Sequence, residues 1–371
     1  MIYVFVFLGE FGYELFNWQG VIRKFSNTIS KEDRIVCCSR ANLYPLYETA
    51  DIYIDISDHP LFQQSVACGY VGMAPQTDMA AFPSGSRDYN IKRPIQDFYY
   101  SYNTPNDLKF DSELKAELKR DIIHKLFSVY QLDASSAKFI FSSERHEMNG
   151  CLFGCDRMMF QIGMKEGDIY ENLNLNNNQF QKILPDLSVA KLVKKKCGIV
   201  GSDYILVQMA ERNIVRRSRD KCHQKNELLQ KMAKKIPLVL LNFSTGRNLD
   251  SYSQFDQIPN CHHYHCSSFV EQSYLIHASK ICLFFTEGDF RSHMYVPPFL
   301  GKDVLAVAPR SVYQLKTSPI DFWNSNVFQF GGQMIPFCSE DVVSDPSIIW
   351  NKFLKITEQN RNKSLLSKMK T

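Results

Sequence analysis

The chain has 371 residues, of which 44% are hydrophobic, 13% aromatic and 22% charged, and its net charge is +4. Single hydrophobic cores stop growing at roughly 250 to 300 residues, so two domains are expected, and a composition this apolar excludes a disordered chain. The mild positive balance falls short of the strongly basic face of a dedicated nucleic-acid binder, while it favours anionic ligands.

Ile2 to Leu8 is an unbroken apolar run rich in β-branched and aromatic residues, the pattern of a strand buried on both faces. No apolar run in the chain approaches the roughly 18 residues of a transmembrane helix, and the opening lacks a basic region with a cleavage site. A cytoplasmic protein is expected, and the scattered cysteines, with no framework spacing, fit reduced thiols. After the strand, Gly9-Glu10-Phe11-Gly12 breaks the pattern, and Leu15, Trp18, Ile22 and Phe25 then recur on one helical face. Such a corner offers unpaired helix N–H groups and a close approach to the main chain, which suits sugars and phosphates. Every α/β protein has strand-turn-helix corners, so the pattern alone does not define a site. The spacing is neither the dinucleotide fingerprint nor a phosphate loop. Glu10 and Glu14, flanking the turn, are candidates for binding sugar hydroxyls or for acting as a base.

Arg34 to Ser39 reads as a second strand, Leu43 to Ala50 as a short helix and Ile52 to Ile56 as a third strand, the alternation of a parallel sheet. From Asp58 to Pro105 the pattern dissolves, and the aromatic run Phe98 to Tyr102 is suited either to stacking on a pyranose or to pinning the loop. Phe110 to Leu132 reads as an amphipathic helix with a basic, solvated outer face. Phe139 to Ser142 is the next strand. Glu144, Arg145 and His146 follow at its carboxyl end, where ligands gather in open α/β sheets, as an acid, a phosphate clamp and a base or as a hydrogen-bonded polar loop. A polar stretch from Asp168 to Gln181 leads to the basic helix Pro185 to Lys196, either a solvated face or a contact for an anionic membrane. The domain boundary is placed here, giving 1–190 and 191–371.

The second half restarts the rhythm with the strand Asp203 to Met209. The loop beyond it carries four arginines in eight residues, and Arg212, Arg216 and Arg217 are the candidates for holding a diphosphate. Lys225 to Lys235 reads as a helix and Pro237 to Phe243 as a strand. Cys261-His262-His263-Tyr264-His265-Cys266 invites a zinc reading, but adjacent histidines converge poorly on one tetrahedron and the alternation favours a strand, so no metal site is assigned. Ser268 and Glu271 form a capping box for the next helix. The strand Ile281 to Phe285 then runs into Thr286-Glu287-Gly288-Asp289, a second glycine corner suited to donor phosphates and sugar hydroxyls. Asp303 to Ala308 and Val327 to Gly332 read as strands and Ile348 to Glu358 as a terminal helix before a fraying basic tail.

Two βα halves with glycine corners and an arginine loop resemble GT-B type glycosyltransferases. Gly9-Glu10-Phe11-Gly12-Tyr13-Glu14-Leu15-Phe16 is similar to the Gly-x-x-Gly-x-x-[Leu/Met]-Phe opening of the α-1,2 and α-1,6 fucosyltransferase superfamily. In that family a strand ends in His-x-Arg. Here it ends Gln208-Met209-Ala210, and Arg212 matches only with a shift. The resemblance implies two Rossmann-like domains with parallel sheets, an active site in the interdomain cleft, an acceptor-binding first half and a nucleotide-sugar-binding second half. It further implies inverting transfer of a sugar to a saccharide or lipid-linked saccharide hydroxyl, in surface glycan or polysaccharide synthesis. No cofactor is called for beyond the nucleotide-sugar co-substrate, and the absence of an Asp-x-Asp motif fits metal-independent chemistry. Acceptor contacts are expected at Gly9, Phe11, Gly12 and Tyr13. Donor contacts are expected at Arg212, Arg216, Arg217, Thr286, Glu287, Gly288 and Asp289. The base is expected among Glu10, Glu14, Glu144 and His146. Two rival readings are an epimerase or hydrolase of sugar nucleotides and a non-catalytic protein gripping nucleic acid or another polyanion.

Overall fold

The computed structural model describes residues 1–8, 14–63, 112–142, 144, 146–153, 178–198, 203–210, 219–243, 255, 257–266, 268–286, 292–310, 320–345 and 347–368. The chain forms two compact units, Met1–Leu184 with Ser267–Val270, and Pro185–Cys266 with Glu271–Thr371.

In the first unit, strands β1 (Ile2–Val6), β2 (Arg34–Ser39), β3 (Ile52–Asp55) and β4 (Lys138–Phe141) form a sheet of order β3-β2-β1-β4. Every pairing in it is parallel. A π-helical turn, Glu14–Trp18, precedes helix α1 (Gln19–Ser26); the short α2 (Pro60–Gln63) follows β3, and α3 (Ser112–Tyr130) precedes β4. One core lies between the sheet and α3, where Val4, Val6, Val36 and Ile54 meet Leu118, Ile122 and Leu126. On the α1 side Phe5, Trp18, Phe25 and Phe153 form an aromatic cluster, with Phe5 and Phe153 centroids 5.1 Å apart. Phe153 belongs to an antiparallel hairpin of β5 (His146–Met148) and β6 (Cys151–Phe153), turned by Asn149 (φ 48°) and Gly150 (φ 70°). An Asn-Gly pair is the standard sequence for such a turn.

The second unit contains a six-stranded sheet of β7 (Ile205–Ala210), β8 (Leu238–Phe243), β9 (Cys261–Cys266), β10 (Ile281–Thr286), β11 (Val304–Ala308) and β12 (Met334–Cys338). Its order is β12-β11-β10-β7-β8-β9, and every pairing is parallel. Counted from β7, this is the doubly wound 3-2-1-4-5-6 order, and the first unit shows its 3-2-1-4 portion. The fold is therefore α/β with two Rossmann-like units. Among the described residues the helices of this unit are α4 (Ala190–Cys197), α5 (Arg219–Ala233), α6 (Phe269–Ala278, whose first two residues are grouped with the first unit), α7 (Ser292–Phe299), α8 (Ile320–Asn326), α9 (Ser339–Ser344) and α10 (Ser347–Lys368). On one face of this sheet Leu229 of α5 and Phe353 of α10 share a core with Ile205, Leu240 and Leu283.

Three expectations differ from the structure. The helix at 43–50 is a single 3-10 turn, Tyr44–Leu46, closed at Tyr47, whose backbone leaves helical geometry (φ −117°, ψ 46°) while its N–H donates to the Tyr44 carbonyl. The strand at 327–332 is absent. Val327 and Phe328 donate instead to the Trp323 carbonyl, and Phe328 and Phe330 pack on Phe299 with Trp323 beside them. Their apolar run fills the core, and the strand begins at Met334. The last helix, expected to end near Glu358, continues to Lys368. Cys261–Cys266 is a strand, with Tyr264 and Cys266 turned inward. Among the described residues no helix is long and apolar enough to cross a membrane. The aromatic run Phe98 to Tyr102 lies outside the described residues.

Candidate functional site

In a doubly wound sheet the strand order reverses at one point, where the loops leaving two neighbouring strands diverge and open a crevice at their carboxyl ends. In the first sheet that point lies between β1 and β4, with Val6 opposite Phe141. The Leu8 N–H donates to Ser142 Oγ at 2.9 Å and the Ser142 N–H to the Val6 carbonyl at 2.9 Å, so the two chains stay joined up to the reversal. Residues 9–13 follow β1 in the sequence, and Glu144 and His146 follow β4. Gly9, Glu10, Phe11, Gly12, Tyr13 and Arg145 lie outside the described residues.

Glu144 and His146 meet. His146 Nε2 lies 3.4 Å from Glu144 Oε2, and the Glu144 carboxylate is ion-paired with Lys115 of α3. The Lys115 ammonium sits 4.5 Å from the Phe141 ring centroid. Burial, followed by the nearby Lys119, pushes Lys115 down to about 8. Burial first, then Lys115, Lys138 and Lys119, holds the His146 imidazole below its ordinary value. The shift favours the neutral imidazole, and His146 is half-buried beside the Glu144 carboxylate, with Nε2 buried and without a hydrogen-bond partner. Lys115 escaped the sequence reading because it is one of several lysines on a helix read as a solvated face. Only the packing of α3 on β4 distinguishes it.

Glu14, expected to face an acceptor, is enclosed. Its exposure is 0%, its carboxylate is ion-paired with Arg40, also 0% exposed, and it accepts the Tyr47 hydroxyl hydrogen. Burial raises its carboxyl while the Arg40 guanidinium opposes that rise. Arg40 stands just beyond the end of β2, with its guanidinium carbon 5.8 Å from the Phe7 ring centroid and its carbonyl accepting from Tyr53 Oη at 2.5 Å. With no exposed surface the Glu14 carboxylate is closed to an acceptor hydroxyl, and this geometry makes it an anchor for the chain leaving the corner. The neighbouring residue types carried no signal for this, since Arg40 is 26 residues away.

In the second sheet the reversal lies between β7 and β10, and Ala210 is paired with Thr286. Arg212, Arg216 and Arg217 follow β7 in the sequence, and Glu287, Gly288 and Asp289 follow β10. These six residues lie outside the described residues, whereas the strand ends that precede them are adjacent.

A doubly wound α/β chain with a reversal in each sheet is thus the class that the topology defines. No family model matches the chain, and no curated protein matches it. Among solved structures it is similar to E. coli ADP-heptose lps heptosyltransferase II, at 9% identity over 97% of this chain and 99% of that one, with a TM-score of 0.48. It is also similar to E. coli heptosyltransferase WaaC with ADP, at 11% identity over 96% of this chain and 100% of that one, with a TM-score of 0.45. A third is the UDP-GlcNAc 2-epimerase from Methanocaldococcus jannaschii, at 11% identity over 96% and 92%, with a TM-score of 0.39. The resemblance of the opening segment to fucosyltransferases is not shown by these comparisons.

Proposed function

We propose that this protein is a glycosyltransferase that moves a sugar from a nucleotide-sugar to a saccharide hydroxyl with inversion and without a metal. The observation that carries the reading is the strand order. The strands that precede the arginine stretch and the second glycine segment in the sequence, β7 and β10, meet at the reversal of one sheet, and those that precede Glu10 and the Glu144–His146 pair, β1 and β4, meet at the reversal of the other, which supports the reading.

In this reading Arg212, Arg216 and Arg217 grip the diphosphate in forked hydrogen bonds, and the backbone around Gly288 adds donors that stabilise charge on the departing nucleotide. Glu287 and Asp289 accept from sugar or ribose hydroxyls. His146, beside Glu144, removes the acceptor hydroxyl proton as that oxygen attacks the anomeric carbon, and the carbon–phosphate-oxygen bond breaks toward the nucleotide. Glu10 is the second candidate for the base. Gly9, Phe11, Gly12 and Tyr13 line the acceptor, which in this reading is saccharide or lipid-linked saccharide.

The test is a thermal-shift screen with ADP-, UDP-, GDP-, dTDP- and CMP-sugars, followed by turnover with the responding donor. A donor that stabilises the chain and is transferred supports the reading. No response to any donor overturns it, and consumption of the donor without an acceptor makes the protein an epimerase or hydrolase instead.

A further inference from the structure

The lysines of α4 mark it in the sequence, and the structure sorts them by what the fold uses. A 3-10 turn, Leu187–Val189, runs into the helix, and Asp186 caps that turn by accepting from the Ser188 N–H at 2.7 Å. Gly198, with φ 68°, closes the far end, where its N–H donates to the Lys194 carbonyl. Val193 and Cys197, one turn apart, are 2% and 7% exposed and form the inner face. Beside them the Lys196 ammonium lies 2.6 Å from the buried Glu271 carboxylate of α6 and 5.8 Å from the Tyr264 ring centroid. The segment is thus capped at both ends and pinned to its own unit along one side.

The other side is put to no such use. Lys191 and Lys195, one turn apart, lie opposite Val193 with Lys194 flanking them, and all three are exposed. Among the described residues Lys196 is the lysine of α4 that forms an ion pair. Leu192 is 46% exposed beside these lysines, and Leu187, one turn before Lys191, is 61% exposed.

A single exposed leucine needs no explanation, but two among three cations constrain what can cover this side. A nucleic acid uses the cations and has nothing for the leucines, and α4 carries neither the arginines nor the aromatic rings that grip phosphates and bases. An anionic bilayer uses both. Its surface potential draws lysines as point charges with no fixed geometry, and the boundary between headgroups and acyl chains takes the leucines. With 8 residues α4 can lie in that boundary without crossing it.

We propose that this side of α4, with the turn before it, docks the protein on an anionic lipid surface, with Lys191, Lys194 and Lys195 among the headgroups and Leu187 and Leu192 beneath them. The docking surface rests on α4 and not on the transferase reading.

The experiment is co-sedimentation of the full chain with vesicles of phosphatidylcholine, alone or mixed with phosphatidylglycerol. Binding is expected to the mixed vesicles and not to the neutral ones, and it should weaken as salt screens the surface charge. A lysine near an anionic surface is worth about fivefold in partition, so Lys191→Gln, Lys194→Gln and Lys195→Gln together should weaken binding about a hundredfold. Leu187→Ser with Leu192→Ser should weaken it about tenfold. All five side chains are exposed, so both variants should keep the denaturation midpoint of the parent. Lys31→Gln, Lys234→Gln and Lys355→Gln, also exposed, lower the net charge by the same amount and should bind within about twofold of the parent. No sedimentation with the mixed vesicles overturns the proposal, and so does an equal loss in that charge control. Leucine variants that bind as well as the parent overturn it too, as does capture of oligodeoxythymidylate by the lysines in place of vesicles, which makes α4 a polyanion face.

Discussion

At the scale of single residues, the first unit places ionisable groups where water is scarce, and each placement has a measurable result. Arg40 and Glu14 are both at 0% exposure. Removing one member of a buried ion pair leaves an uncompensated charge, at a cost of about 3–5 kcal/mol. Arg40→Met should therefore lower stability by about that much in chemical denaturation, and Arg40→Met with Glu14→Gln should recover part of it. His59 and His146 are both held below the ordinary histidine value by burial. The unfolded chain thus binds more protons below about pH 6.5, so stability is full above that pH and declines as pH falls toward the folded values. His59→Asn should flatten that slope in denaturation measured from pH 5 to 7, values bracketing the free imidazole. If His146 is the base, the acid limb of the kcat/KM profile lies below about 6.5, the free imidazole value. Lys115→Met, removing a cation that depresses His146, should move that limb upward.

At the scale of elements, close backbone approach sets limits that propensity does not show. A Cβ on Gly332 would stand 2.6 Å from the Lys302 amide nitrogen and 2.8 Å from the Lys302 carbonyl oxygen, so only a backbone shift could admit it. Gly332→Ala should cost about 1–3 kcal/mol, read as a lowered denaturation midpoint. The β-strands were legible in sequence because buried parallel strands are continuous β-branched runs. Elements that depend on partners were not. The run at 327–330 looks like a strand until Phe299 and Trp323 are beside it. The hairpin of β5 and β6 was missed although Asn149-Gly150 announces its turn, because three-residue strands give no periodicity to read.

At the scale of the whole molecule, two units with separate cores should respond separately. If the second unit holds the donor, a nucleotide-sugar at a hundred times its Kd stabilises that unit by about 2.7 kcal/mol. Arg40→Met, which weakens the first unit, should then leave donor affinity within twofold in calorimetric titration. A large loss of affinity would show the donor site to depend on both units.

The sequence by itself determined the alternation of strands and helices and the parallel sheets, because burial on both faces leaves its mark in neighbouring residues. It also put Glu144 and His146 at a strand end. Tertiary structure alone decided that Glu14 is locked to Arg40, that Lys115 reaches Glu144, and that His59 lies beside Glu117 and Asp121. Those pairings join residues that are distant along the chain, and local spacing carries no information about which charged side chain a fold will bury beside which.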